Sequence, residues 1–303
     1  MKTRDWINFI VLGVIWGSSF MWIKVAVADV SPFVLVTFRI FFAVLTITAI
    51  ILLQKGKIPF EKRWIGVFAF MGFFNVAMPF FLISWSEQFI SSGLASVLNS
   101  TVALWTFIFA AIFLPDEKMT WLKTLGVALG FGGVVVLSLE NLDGGMGNAQ
   151  MGVVAMLVAT AGYGAANIFG RVKTKGLESN AQAFGQLTAA FLFALPAALI
   201  IDPAFELPNL AITWFGLVFL GVLNSAVATW LYFSLLNSLG PTRTSMVGYV
   251  IPLTGVVLGV IFLKEVVSWT LLVGGLMIVG GVLLVNYVGS LPRILGNQPV
   301  SKK

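Results

Sequence analysis

SGLASVLNSTVALWTFIFAAIFLPDEKMTWLKTLGVALGFGGVVVL, residues 92–137, holds two apolar runs of membrane-spanning length joined by a short charged turn, and the chain later repeats it. Phe113-Leu114-Pro115-Asp116-Glu117-Lys118 leads into Trp121, Gly126 and Gly132-Gly133; the second copy runs Phe262-Leu263-Lys264-Glu265, then Trp269, Gly274 and Gly280-Gly281. From Glu117 and Glu265 onward the copies stand 148 positions apart. The register extends upstream with small gaps: Asn75 meets Asn224 at 149, Gly66 meets Gly216 at 150, and Trp16-Gly17 meets Tyr163-Gly164 at 147. A fixed long period decides architecture before any single residue does, and here it makes the chain two related halves.

Of 303 residues, 59% are hydrophobic and only 10% charged, far from the roughly 25% charged usage of soluble domains; mean hydropathy is +1.00. Such a chain belongs in a bilayer. It has no cysteine and no histidine, which removes disulfides, thiol nucleophiles and imidazole bases, and most zinc readings with them; no metal or cofactor is expected. The net charge of +6 does not point to nucleic acid, because Lys and Arg sit in short loops between apolar runs and form no stripe. No P-loop pattern supports an ATP-driven pump. The only adjacent carboxylates, Asp116-Glu117, lie in a turn whose repeat copy reads Lys264-Glu265, so the clustered acids of a membrane enzyme are missing.

A spanning helix needs about 20 apolar residues, and ten segments qualify: 6–27, 33–53, 64–85, 92–114, 121–139, 152–170, 183–201, 213–236, 243–263 and 269–288. Continuous runs such as Phe41 to Leu53 rule out the short alternating strands of a barrel. The first segment follows Lys2 and Arg4 but is too long for a signal peptide and lacks a small-residue cleavage site, so it is expected to stay as a helix. Fifteen of the eighteen Lys and Arg fall on one side when loops are assigned alternately, which predicts that both termini are cytoplasmic. Five helices per half is an odd number, so the second half enters from the opposite side and the repeat is inverted. The fold class is therefore all-α and polytopic, ten transmembrane helices in two inverted five-helix repeats. The halves are expected at 1–140 and 151–289, with a linker at 141–150 and a cytoplasmic tail at 290–303.

Trp16-Gly17-Ser18-Ser19-Phe20 with Lys24, Ser31-Pro32, Arg39, Ser92-Gly93-Leu94-Ala95-Ser96 and the Glu117 turn, then Pro252, Glu265 and the closing glycines, resemble the EamA family of the drug/metabolite transporter superfamily. The resemblance covers nearly the whole chain and implies a bacterial inner-membrane exporter or exchanger of small metabolites such as amino acids. Two departures stand out. Ala103 occupies the place where the family usually has a proline, as the second half does at Pro252, which puts any break in the fourth segment in question. Arg39 has only Gln186 as its repeat partner, so the halves treat charge differently.

Several stripes are candidates for the substrate. Ser92, Ser96, Asn99 and Ala103 share one helical face, answered in the ninth segment by Ser245, Gly248 and Pro252. Gly13, Trp16, Phe20 and Lys24 align with Thr160, Tyr163, Asn167 and Arg171; each could line a cavity, while Lys24 and Arg171 could equally snorkel to headgroups. Arg39 lies about 9 Å inside the membrane at 1.5 Å per residue and needs a partner: a substrate carboxylate, or an ion pair with Glu87 or Asp29. Asn75 and Asn224 are aligned, and Ser225, Thr229 and Tyr232 extend a polar face. Asn99, Asn167 and Tyr249 are expected to border the same pocket near the middle of the bilayer. Gly126 and Gly130, and Gly255 and Gly259, are small-xxx-small pairs that favour close packing within or between subunits. Because both halves are already present, a monomer should suffice, a dimer remaining open. No Asp or Glu falls within a predicted span, which argues for facilitated diffusion or exchange; a channel or lipid translocator is the alternative.

Overall fold

Ten helices follow one another in the computed structural model, which describes residues 3–54, 61–115, 117, 119–139, 147–239, 244 and 246–290. They are α1 (Thr3–Ala26), α2 (Pro32–Leu53), α3 (Lys62–Ser86), α4 (Ser92–Phe113), α5 (Trp121–Leu139), α6 (Asn148–Lys173) and α7 (Ser179–Ile201). Next comes α8, in the continuous pieces Ala211–Phe219, Leu220–Val227 and Ala228–Leu239. Last are α9 (Val247–Leu263) and α10 (Trp269–Ser290). Nine are long and apolar enough to cross a membrane, and α9 is a shorter apolar helix. Arg243 and Ser245, the loop charges Lys55, Lys57, Asp116, Lys118, Glu140 and Asp143, Lys2 and the basic tail fall outside the described residues.

Local chemistry sets the helix starts. Ser31 precedes Pro32, and its hydroxyl accepts the Val34 amide at 3.2 Å; Ser91 does the same for Leu94 before α4. A serine cap satisfies one of the orphan amides of the first turn, and proline fits there because its missing N–H would have no partner. Trp6 and Trp269 are exposed at helix ends, as interface anchors should be, whereas Trp214 donates to the Pro208 carbonyl at 3.2 Å.

The two inverted repeats show in the packing contact by contact. A Cβ on Gly221 of α8 would strike Phe42, the Arg39 carbonyl and the Ala43 amide of α2; one on Gly72 of α3 would strike Ala189, the Gln186 carbonyl and the Ala190 amide of α7. These are the same three positions in each repeat. Gly17 of α1 meets Thr254 of α9 as Gly164 of α6 meets Trp105 of α4. The helices α5 and α10 are each other's repeat mates: Gly126 packs on the Gly281 carbonyl and Gly133 on that of Gly274. Only glycine allows such backbone approach, and the contacts forfeited by a wider spacing are the dispersion energy that holds helices together in lipid. Gly255 meets Ser96, and Gly259 meets Ser92 and Glu265. The small-residue pairs are thus used inside the chain.

Proline does not decide where the helices break. Proline-free α4 is interrupted at Ser100–Thr101, where Ser100 and Thr101 donate to the carbonyls three residues back and the Thr101 hydroxyl takes that of Leu98 at 2.7 Å. Continuous α9 carries Pro252 within it. The break in the fourth segment that the missing proline put in question is present, with the Thr101 hydroxyl competing for a backbone carbonyl. A second irregularity is shared: α3 and α8 each pass through a π-helical turn, at Phe73–Ala77 and Leu220–Val227, and these contain the aligned Asn75 and Asn224.

Candidate substrate site

The π turn of α8 determines what Arg39 meets. Arg39 stands on the face of α2 that also carries Leu35 and Ala43, both fully buried, and is itself only 5% exposed. Its Nη2 donates to Asn224 Oδ1 at 2.9 Å and its Nε to Ser225 Oγ at 3.2 Å. The extra residue of a π turn lets consecutive side chains converge on one donor group, a geometry that recurs at functional sites. Asn224 is fixed in turn, its amide donating to the Ile15 carbonyl at 2.7 Å while its own carbonyl accepts the Trp16 indole at 3.2 Å. Trp16 lies against Tyr232, ring centroids 5.6 Å apart. The guanidinium carbon sits 3.6 Å over the Phe80 ring.

Arg39 makes no ion pair among the described residues; Glu87 reaches it only at longer electrostatic range. Among the described residues the ion pairs are Arg63–Glu61, Lys123–Glu117 and Arg171–Glu117. The expected pairing with Glu87 or Asp29 does not form: Asp29 accepts the Asn209 and Leu210 amides at 3.1 Å, and no donor reaches Glu87. Burying a cation costs several kcal/mol even after relaxation. Two charge-assisted hydrogen bonds at about 1.5–3 kcal/mol each and a desolvated cation–π contact of about 2 kcal/mol roughly offset that. They leave the positive charge itself uncompensated and three of the five guanidinium N–H donors without a hydrogen bond among the described residues. An anion is what completes such a site.

The repeat-related contact is a neutral copy. Asn75, in the π turn of α3, donates to Gln186 of α7 at 3.1 Å, where Asn224 meets Arg39. The architecture is symmetric and the charge is not.

The remaining predicted residues divide. Tyr163 of α6 lies within electrostatic reach of Arg39. Lys24, at the outer end of α1 in the predicted topology, donates to the main-chain carbonyls of Glu87 and, at 2.9 Å, Ile90. Asn99 is half-buried at the α4 break, its amide without a hydrogen bond among the described residues. Asn167 is exposed and donates to Thr106 at 3.1 Å; Tyr249 accepts from Asn286 at 2.7 Å. Trp16, Arg39, Asn224 and Tyr163 therefore belong together, while Asn75, Asn167 and Tyr249 stand apart from them. A surface concavity lined by Phe113, Pro115, Glu117 and Met119 contains none of the nine. Sequence reasoning missed Phe80, and it noted Gln186 without seeing that it binds Asn75. The repeat register, read for both helices of a contact, held the signal for Gln186; nothing in it singled out one phenylalanine among 27.

Comparison with known proteins follows the same division into halves. The profile of the EamA-like transporter family matches residues 6–139 and again 150–287. The chain is 25% identical over 250 residues to the Escherichia coli protein "Uncharacterized inner membrane transporter YedA", covering 82% of this chain and 79% of that one. It is 24% identical over 297 residues to the "Probable amino-acid metabolite efflux pump" of Escherichia coli, 95% and 96% covered. A crystal structure of 17% identity superposes with a TM-score of 0.67 over 95% of this chain and 98% of that one, a likeness of fold.

Proposed function

The chain belongs to the EamA-like transporter family, and from this premise we propose that it carries small metabolites bearing a carboxylate, amino acids or similar compounds, across the bacterial inner membrane by alternating access. Transport of small molecules by a multi-pass membrane protein is what the family does. The finer reading rests on one observation: Arg39, buried and fixed by Asn224, Ser225 and Phe80, lacks an acidic partner. In hydrocarbon an uncompensated cation is costly unless it serves a pathway. Trp16, Tyr163 and Asn224 complete the anion-binding group, with Lys24 and Asn99 on its approach; Asn75, Asn167 and Tyr249 line the remainder of the pathway.

Alternation follows from the repeats. Halves 1–140 and 151–289, joined by 141–150, can exchange conformations and open one central site to each face in turn. Both termini, with the tail from 290, lie in the cytoplasm in this reading, and a single chain is the working unit. Flux runs by facilitated diffusion or exchange.

Purified protein in liposomes, screened against amino acids and small carboxylates for countertransport, tests this. Arg39→Ala and Asn99→Ala should lower flux at least tenfold and severalfold respectively, with normal folded yield. Wild-type flux in both would remove the site; ionic conductance without saturation would indicate a channel.

A further inference from the structure

Glu87 directly follows α3 and is fully buried, with no donor within hydrogen-bonding reach of either carboxylate oxygen among the described residues. It caps the C-terminal end of that helix, its amide donating to the Ile83 carbonyl at 3.0 Å, where the aligned peptide dipoles disfavour an anion. An ionised carboxylate without donors would cost several kcal/mol there, so the site favours the neutral acid. The charged groups that face it come from three elements: Lys24 of α1, Arg39 of α2, and Glu265 after α9. The packed helices α4 and α6 carry no charged side chain before Arg171. Burial raises the Glu87 carboxyl well above the ordinary carboxylate value; Lys24 draws it down, Glu265 pushes it up and Arg39 draws it down.

We propose that Glu87 is a proton-binding site linked to the Arg39 site, so that a carboxylate substrate binds together with one proton on Glu87. With Glu87 neutral, Arg39 and Lys24 present uncompensated positive charge. When Glu87 loses its proton to water, its charge competes with the substrate carboxylate for the same field. The linkage is reciprocal, as any coupling of two binding sites must be. One negative charge and one proton bind together, so the loaded site is electroneutral relative to the empty one. Where the empty site has released that proton, downhill carboxylate flux carries protons, and a pH gradient drives it toward the alkaline side. The argument for uncoupled flux, that no acid lies within a span, does not reach Glu87: it sits one residue beyond α3, yet is buried like a core residue.

This inference rests on the reading of Arg39 as the carboxylate site, and the experiment separates the two. Infrared spectra of purified protein at pH 7 should show a protonated-carboxyl band that Glu87→Gln removes and Glu117→Gln leaves. Phenylacetate and hexanoate, titrated in weak buffer at a pH where the infrared band shows Glu87 partly ionised, should each draw up to one proton per protein as they bind. Their affinity should fall toward tenfold per pH unit as pH rises through the Glu87 titration, the limit for one linked proton. Glu87→Gln should bind both with affinity independent of pH. Binding without proton uptake at that pH, or a wild-type spectrum identical to that of Glu87→Gln, overturns the proton site and leaves Arg39 standing. Absence of saturable binding by both acids overturns the Arg39 reading instead. If Glu87→Gln does not fold, proton uptake by the wild-type protein decides alone.

Discussion

Glu265 accepts two hydrogen bonds from Ser92, the amide at 2.7 Å and the hydroxyl at 3.0 Å, and takes the Gly93 amide at 3.0 Å as well. A carboxylate on the first amides of a helix satisfies orphan donors and meets the positive end of the dipole. Glu117, its repeat mate, is instead engaged by Arg171 at 3.2 Å and Lys123 at 3.8 Å. One acid latches two helices; its counterpart sits among cations.

Losing that latch should cost about 0.5–2 kcal/mol, the range for an N-terminal cap. Glu265→Ala is therefore expected to lower the melting midpoint in detergent. Gly259→Ala should do the same by a different route, since an added Cβ would collide with the Glu265 carboxylate and the Ser92 hydroxyl. The two acts converge on one contact, so the double variant should be little worse than either single one. Additive losses would show that Gly259 acts elsewhere.

Asn224 and Asn75 occupy matched π turns, but only Asn224 holds a cation. Asn224→Ala leaves a buried guanidinium short of an acceptor, a loss of about 3–5 kcal/mol by analogy with broken buried pairs, and should reduce flux at least tenfold. Asn75→Ala removes a neutral amide pair worth about 1 kcal/mol and should reduce flux less. Vesicle flux normalised to folded protein checks both. Equal losses would mean that the neutral copy carries substrate too.

Much of this arrangement could be read before any coordinates. Ten spans, the inverted halves and the Arg39–Gln186 asymmetry all follow from hydropathy and a repeat near 148 residues, because span length and register are properties of the chain itself. The partners of Arg39 could not be read. They depend on a π turn that rotates Asn224 and Ser225 together, and such a turn leaves no mark in residue type. The α4 break was hidden for a similar reason: proline was the visible breaker, while the break lies at Ser100–Thr101, where the Thr101 hydroxyl bonds the Leu98 carbonyl. The burial of Glu87 could not be read either, because distance from a span's end measures depth in lipid and not burial within protein.

Gly72 and Gly221 make a matched pair for mutation. A Cβ on either would lie under 3 Å from backbone atoms of the facing helix, the Gln186 carbonyl in one case and that of Arg39 in the other. Overpacking of this kind costs about 1–3 kcal/mol, so both alanine variants should lose folded yield and melt lower. Gly66→Ala is the control, for no atom of a neighbouring element lies within 4 Å of its Cβ position, and alanine is favoured over glycine within a helix by about 1 kcal/mol. It should be neutral or slightly stabilising. Only the Gly221 variant should also weaken phenylacetate binding, because only it presses on the backbone of Arg39.

Asp29 gives a prediction in pH. The Thr213 hydroxyl nearby and the Leu210 and Asn209 amides, which donate at 3.1 Å each, hold its carboxyl below the ordinary value of 3.8, against the opposing pull of burial. The carboxylate tethers the α1–α2 turn to the start of α8, and the tether exists in the ionised form. Because the folded pKa is depressed, the stabilisation is fully present above the ordinary value and disappears as pH falls through the folded one. Asp29→Asn keeps an acceptor but gives up the charge. Its melting midpoint should therefore lie below that of the wild-type protein by a constant amount from about pH 7 to pH 5, a gap that closes as the acid is protonated below about pH 4. Thermal melts of the two proteins across that range measure it. A gap that widened toward acid would reverse the sign and show that Asp29 is held in its neutral form.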